Sequence, residues 1–322
     1  MLIKKLNTLP QTPEANTVYI LEPCNSNPDY YDERTNRNIG WISEEEQQIL
    51  KGKTIGIAGC GGMGGLLAQT FLRCGVGTIK IADNSYFDNT NINRQLAATR
   101  FSSGTQKALS TAKILRETTD DATIHVYPEG IQENTAAEFV DGCDLVCDQI
   151  EFWSVGARIL LHLHAYEKNI TIYNANTIGF GTRLFHFTRD SMSMEECLGM
   201  SYAEARELEQ KLNAKAANFE EKSRVMQVVI NGLMPKIPDY ASTANHSYSH
   251  SSVFYQRLQQ EEVVSIMASN CPMAAGFLAN QVILYLLKDS TIRRDIKLPP
   301  LMPKYVYFDA AHMEIKVCEL NR

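Results

Sequence analysis

The sequence predicts an α/β protein: a mostly parallel sheet with helices on both faces, and a C-terminal helix and β-hairpin packed on it. Three observations carry that expectation. From residue 53 to residue 173, short apolar runs alternate with segments of helical periodicity, the pattern that βαβ units leave in a chain. A glycine cluster, Gly59-Cys-Gly-Gly-Met-Gly64, stands between the first run and the first helix of that series. The chain then closes with an apolar helical segment and two strand-like runs.

Residues 1–36 are polar and turn-rich, with Pro10, Pro13, Pro23 and Pro28, and read as an N-terminal arm. One strand candidate, Thr17–Leu21, interrupts it. Ser43-Glu-Glu-Glu46 fits a capping box, the serine accepting backbone N–H bonds and the glutamate reaching back. The helix it opens ends at Gly52. A buried strand is expected at 53–58, a helix at 64–74 and a strand at 78–82. Ala108, Leu109, Ala112 and Leu115 recur at helical spacing within 105–118. Strands follow at 122–127 and 144–147, a helix at 154–168 and a strand at 170–173. Beyond 180 come a strand at 182–187, a charged helical segment at 201–235 and a serine-rich loop at 236–252. An apolar helix at 271–287 precedes a hairpin of 304–309 and 313–320. The expected organisation is an arm over 1–36 and one continuous domain over 37–322, with a crossover and substrate segment at about 188–265.

The 322 residues are 44% hydrophobic and 21% charged, which excludes a disordered or fibrous chain. A net charge of −6 argues against a nucleic-acid binder that relies on bulk charge. No apolar run reaches membrane-spanning length, since Asn280 and Gln281 break the stretch from Met273 to Leu287. The first residues lack both a long apolar stretch and a small-residue cleavage site, so no signal peptide is expected. The eight cysteines are scattered, which together with that start suggests a reducing, cytoplasmic setting. They include no C-x-x-C pair, so no zinc is expected. Cys143 and Cys147, four residues apart along one strand, stand too far apart to bond to each other.

The glycine cluster matches G-x-G-x-x-G at a strand-to-helix turn. Glycines there let the backbone approach phosphate oxygens, and the helix N-terminus favours their charge. Alone this is a weak signal, shared with any glycine-rich turn. Asp83 adds to it, 19 residues after Gly64 at the end of the next strand, where a carboxylate binds ribose hydroxyls. A Rossmann-like site of this kind first suggests a nicotinamide dinucleotide. Arg94 and Lys107 argue for another ligand. Two further cations suit a triphosphate, whose charge must be neutralised as it is cleaved; their plain alternative is a solvated arginine and lysine. Gly52-Lys53-Thr54 resembles the end of a Walker A loop, but the first glycine of that motif would fall at Gln47.

With these residues the chain resembles the ThiF/MoeB/HesA family of ubiquitin-activating-like adenylyltransferases. The motifs are Asn36-Arg37-Asn-Ile, the glycine cluster, Asp83, Asn91-x-Asn-Arg94-Gln95, Lys107, and the carboxylates Asp148 and Glu151. The likeness runs from about residue 37 to 187, and less clearly through the terminal helix and hairpin. It implies that Gly59, Gly61, Gly62 and Gly64 cradle ATP and that Asp83 binds its ribose. It further implies that Asn91, Arg94 and Lys107 contact phosphates, with Gln95 in the same nucleotide-binding motif. Glu151 stands where the family has a magnesium-binding aspartate, and Asp148 shares the ion or takes over the role. A carboxylate of either length suits Mg²⁺, which takes hard oxygen ligands. Arg37 reaches into a partner subunit's site, which implies a homodimer with two composite sites. The missing C-x-x-C pairs match the zinc-free branch. Cys197 and Cys271 are candidate transfer cysteines, each with a buried apolar contact as its alternative.

The implied chemistry is carboxylate activation with release of pyrophosphate. The nucleophile is already ionised, so the protein positions groups and neutralises charge. His162 and His164, two residues apart, cannot share one helix face and read as structural. The expected substrate is a ribosomal peptide in peptide-antibiotic maturation; the alternative is the C-terminus of a ubiquitin-like sulfur carrier. The acidic balance disfavours the family's tRNA-modifying branch. The arm at 1–36 either pairs with an extended peptide or serves only the dimer. An NAD-dependent oxidoreductase and a catalytically silent nucleotide-binding scaffold are the readings of other classes, Glu151 being the support for the latter.

Overall fold

Backbone pairing follows the apolar runs. The structure, a computed structural model, describes residues 1–235, 238, 240, 253–290 and 296–320. The chain opens with β1 (Leu2–Lys5), β2 (Thr17–Leu21), α1 (Tyr30–Thr35), a 3-10 turn at Asn36–Asn38 and α2 (Glu44–Lys51). Alternation follows: β3 (Thr54–Ala58), α3 (Gly64–Arg73), β4 (Thr78–Ala82), α4 (Lys107–Thr118), β5 (Thr123–Tyr127), α5 (Ala136–Val140), β6 (Leu145–Asp148), α6 (Val155–Glu167) and β7 (Ile172–Ile178). The second part holds β8 (Gly181–Phe187), α7 (Met194–Leu198), α8 (Tyr202–Asn213), α9 (Phe219–Leu233), α10 (Val253–Gln260), α11 (Asn270–Leu286), β9 (Lys304–Asp309) and β10 (Glu314–Glu319).

Among the described residues the strands form one ten-stranded sheet in the order β1-β2-β5-β4-β3-β6-β7-β8-β9-β10. Its five central strands, β5 to β7, are parallel. β4 lies on one side of β3 and β6 on the other, so the strand order reverses at β3, where ligands of open α/β sheets bind. Alternate side chains serve opposite faces. Ile55, Ile57 and Leu145 pack with Phe71 of α3, Leu115 of α4 and Val282 of α11. Val146 and Phe185 pack with Phe139 of α5, Ile159 of α6, Leu208 of α8 and Val229 of α9. The terminal hairpin extends the sheet, β9 pairing with β8. No helix among the described residues is long and apolar enough to cross a membrane.

The helix after Ser43 begins with the expected capping box and ends at Gly52. Elsewhere the structure adds detail. The segment read as an arm supplies two strands to the sheet: β2 is buried at every position and pairs antiparallel with β5. Burying Val18, Tyr19, Ile20 and Leu21, at about 1.5–3 kcal/mol for each large apolar side chain, holds this segment against the sheet. The stretch 201–235 is two helices, because a capping box of its own, Asn218 with Glu221, starts α9. Most of the serine-rich loop at 236–252 lies outside the described residues.

One strand position predicts acid sensitivity. His125 of β5 stands opposite Lys80 of β4, whose Nζ donates to the backbone oxygens of Glu138 and Asp141 at the end of α5. Burial, then the charges of Lys80 and Lys5, push the His125 pKa down to about 4. The unfolded chain, with a histidine pKa near ~6.5, therefore binds a proton that the folded chain refuses. Stability falls as pH drops from about 6.5 towards 4. His125→Gln is expected to flatten the melting-temperature profile across that window; an unchanged profile would refute the assignment.

Candidate functional site

The carboxyl ends of β3, β4, β6 and β7 assemble the site. β3 turns into α3 through the glycine cluster. Gly59 has φ +102°, and a Cβ there would lie 2.1 Å from the Gln149 carbonyl oxygen; one at Gly64 would lie 1.8 Å from the Gly59 oxygen. Only glycine permits this turn. Met63, the N-cap of α3, makes no side-chain cap, so the first N–H groups of the helix are left for an anion. Gly61 borders open space near Gln95 Nε2, at 4.0 Å from its ideal Cβ position. Gly62 lies against Cys271 and Arg94, whose Sγ and Cγ would be 2.9 and 3.4 Å from an added Cβ.

Asp83 ends the next strand. Its Oδ2 accepts the Cys60 N–H at 2.7 Å, and its Oδ1 accepts the N–H of Ser85 at 2.8 Å. The carboxylate thus braces the glycine loop and stands beside it. Gln106, the N-cap of α4, donates to the Asp83 carbonyl and places Lys107 at the start of the helix. Asn91 is buried and closes a 3-10 turn with Asp88. That turn delivers Arg94, whose Nη1 donates to Thr90 O at 3.1 Å and Asn93 Oδ1 at 2.8 Å. Gln95 is buried, and its Oε1 has no hydrogen-bond partner among the described residues. Among the described residues no carboxylate pairs with Arg94 or Lys107. The Lys107 charge helps hold Asp88 below the usual carboxylate range, behind the Thr90 hydroxyl, and also acts on Glu151. Lys107 therefore spans the ground between the β4 and β6 ends.

The two β6 carboxylates differ. Glu151 remains open to solvent, with Oε1 accepting from Trp153 N–H at 3.1 Å and Ser154 Oγ at 3.3 Å. The protein crowding around it raises its pKa, against the Trp153 hydrogen bond and the charges of Arg158 and Lys107. Its second oxygen accepts no hydrogen bond among the described residues. Asp148 is fully buried. Its Oδ1 accepts the Ile150 N–H at 3.0 Å, and its Oδ2 faces Arg158 Nε at 3.0 Å and His162 Nε2 at 3.1 Å. Burial would push its pKa up, but Arg158, His162 and the Ile150 N–H together hold it below the usual range. These three hydrogen bonds commit most of the carboxylate's acceptor sites and make Asp148 the buried anchor of α6; of the two expected metal-binding carboxylates, Glu151 is the one with an oxygen that accepts no hydrogen bond among the described residues. The described residues contain no preformed cluster of three or more metal-ligating side chains.

Arg37 is not brought to this site within one chain. It is exposed on the 3-10 turn, and the neighbouring Asn38 donates to Cys74 O at the far end of α3. The ten residues of α3, at ~1.5 Å each, separate that end from the glycine loop by roughly 15 Å. Cys197 is fully buried on α7, its thiol facing the Gly232 carbonyl on α9. Cys271 is buried at the start of α11, beside Arg94 and Gly62. Burial raises its pKa despite Arg94 and a hydrogen bond with Thr177, so at neutral pH it is a thiol. His162 is the buried partner of Asp148, and His164 pairs with Glu167 on the surface of α6.

Sequence reasoning missed Arg158 and Glu209. Arg158 is 2% exposed; beyond Asp148 it donates through Nη2 to Ile150 O, and its Nη1 has no partner among the described residues. Glu209 of α8 accepts the Ala157 N–H at 2.8 Å and so caps α6 from the crossover segment. The available signal was a lone arginine on the buried face of an otherwise apolar helix.

The ThiF family profile matches residues 35–322. Mouse adenylyltransferase and sulfurtransferase MOCS3 is 32% identical over 152 residues, which cover 47% of this chain and 33% of MOCS3. The Thermus thermophilus sulfur carrier protein adenylyltransferase is 28% identical over 107 residues, covering 33% of this chain and 40% of that protein. The chain thus spans well under two thirds of these curated relatives. Among solved structures, PaaA superposes with a TM-score of 0.58 at 15% identity, covering 91% of this chain and 74% of PaaA. E. coli MccB with ATP superposes with a TM-score of 0.58 at 16% identity, covering 92% and 74%. These two likenesses are likenesses of fold.

Proposed function

The chain belongs to the ThiF family, and from that premise we propose that it is an ATP-dependent adenylyltransferase that activates a carboxylate of a ribosomal peptide. The observation that carries the reading is the convergence, at the strand-order reversal, of the glycine loop, Asp83 and two cations, Arg94 and Lys107, that have no carboxylate partner among the described residues. Two such cations suit a triphosphate, whose charge must be neutralised as it is cleaved. In the proposed reaction the substrate carboxylate attacks the α-phosphate of ATP, an acyl adenylate forms and pyrophosphate leaves. Gly61, Gly62 and Gly64 hold the phosphates by backbone N–H groups; Gly59, whose own N–H donates to the Ala82 carbonyl at 2.7 Å, shapes the cradle, and Asp83 holds the ribose. The Asn91 turn presents Arg94 and Gln95, and Arg94 and Lys107 neutralise charge on the leaving pyrophosphate. Glu151 holds Mg²⁺, which supplies further neutralisation of the triphosphate when bound. No side chain needs to remove a proton from an ionised nucleophile.

The peptide reading is supported by the length of the likeness to E. coli MccB, solved with AMPCPP and MccA, which extends over 92% of this chain. The sulfur-carrier reading is favoured by the curated relatives' names, but those matches cover half of the chain or less. Substrate-dependent ATP–pyrophosphate exchange decides between them: peptides ending in a free carboxylate against a ubiquitin-like protein ending in Gly-Gly. A protein that binds ATP but exchanges with neither would be the silent scaffold.

A homodimer is part of the proposal, with Arg37 completing the site of the partner. An Arg37→Ala chain mixed with an Arg94→Ala chain is expected to regain exchange activity, because one of the two hybrid sites then holds both arginines. Verified heterodimers that remain as inactive as either parent variant would remove Arg37 from the site.

A further inference from the structure

At the amino-terminal edge of β7, away from the glycine loop, a cavity of about 490 Å³ opens between α6, the last residues of β8 and the chain leading into α7. Its volume is that of a small-molecule site. Leu163, Ile172, Phe187 and Met192 supply apolar walls. His162 stands on the buried wall, 7% exposed, with its ring edge-on to Phe187 at 4.8 Å. Its Nε2 faces the Asp148 carboxylate at 3.1 Å. A carboxylate only accepts, so Nε2 carries the hydrogen and Nδ1 keeps a lone pair. That Nδ1 has no partner among the described residues. Arg189 is exposed on the rim, 5.5 Å from the Tyr166 ring, and pairs with no carboxylate among the described residues. The lining also holds two carboxylates on the α7 side: Glu195 accepts the Tyr202 N–H at 2.6 Å, and Glu196 closes a capping box with Ser193.

We propose that this cavity binds a small aromatic carboxylate bearing a hydroxyl or N–H donor. The ring lies between the apolar walls, the carboxylate meets Arg189, and the donor bonds to His162 Nδ1. Each group answers one feature of the cavity: apolar walls, an unpaired cation at the rim and an acceptor inside. The lining includes no glycine-loop residue and none of Asp83, Arg94, Lys107 or Glu151, so the occupant is not the ATP of the proposed reaction.

Calorimetric titration of the full chain with hydroxyphenylpropionate tests this, beside phenylpropionate, which lacks the donor, and ethylphenol, which lacks the carboxylate. Hydroxyphenylpropionate is expected to bind with a micromolar Kd, and each truncated analogue ~10-fold more weakly, the scale of one lost polar contact. Arg189→Ala, a surface change, is expected to weaken the parent ligand ~10-fold, and Leu163→Trp to abolish binding by filling the cavity. Pyrophosphate exchange is expected to persist in both variants. No binding at millimolar ligand, or equal affinity in Arg189→Ala and the parent protein, would overturn the proposal.

Discussion

Arg158→Met is expected to destabilise the protein by about 3–5 kcal/mol, the usual consequence of leaving one charge of a buried pair behind. Asp148 is fully buried and Arg158 2% exposed, so water cannot replace the lost guanidinium. At roughly 2–4 °C per kcal/mol for a domain of a few hundred residues, the melting temperature should fall by about 10 °C. The double variant Asp148→Asn/Arg158→Met is expected to recover most of that loss, because it removes the orphaned charge along with its partner. Thermal unfolding of the four proteins in the cycle measures the coupling. A single variant within about 1 kcal/mol of the parent would show that the pair does not hold α6 to the end of β6.

Glu151→Gln, which keeps size and removes charge, is expected to lower Mg²⁺-dependent pyrophosphate exchange by ~10²-fold or more, the scale of losing one electrostatic stabiliser. Metal-free ATP binding should change little, since the glycine loop and Asp83 remain. Asp148→Asn is expected to behave differently. Its carboxylate is committed to Arg158, His162 and the Ile150 N–H, so the variant should lose stability before it loses any dependence on Mg²⁺. If Glu151→Gln exchanges at the parent rate, or if Asp148→Asn shifts the Mg²⁺ requirement with no loss of stability, the division of roles between the two carboxylates is refuted.

Much of the site was legible in the chain, because its chemistry is local. Gly59 and Gly64 had to be glycine for the turn to close, and the turn lies between a strand and a helix that periodicity alone locates. Asp83, Arg94 and Lys107 follow within a few dozen residues, at distances set by one βαβ unit. The same locality explains the capping box at Ser43 and the boundaries of β3, β4 and α4.

What the sequence could not decide are the relations between residues far apart in the chain. The apolar run Val18–Leu21 marks a strand, but pairing with β5, about a hundred residues on, makes it part of the sheet. Asp148 and Glu151 look alike in sequence; side chains ten and fourteen residues beyond Asp148, on the buried face of α6, separate a committed anchor from an open carboxylate. Cys271 adjoins Gly62 and Arg94 only because α11 packs beside α3, and Arg37 is kept from its own chain's glycine loop by the length of α3. Periodicity and turn chemistry report short-range sterics and burial, so they establish elements. Charge pairing, desolvation and access depend on which faces those elements turn to one another, and packing alone settles that.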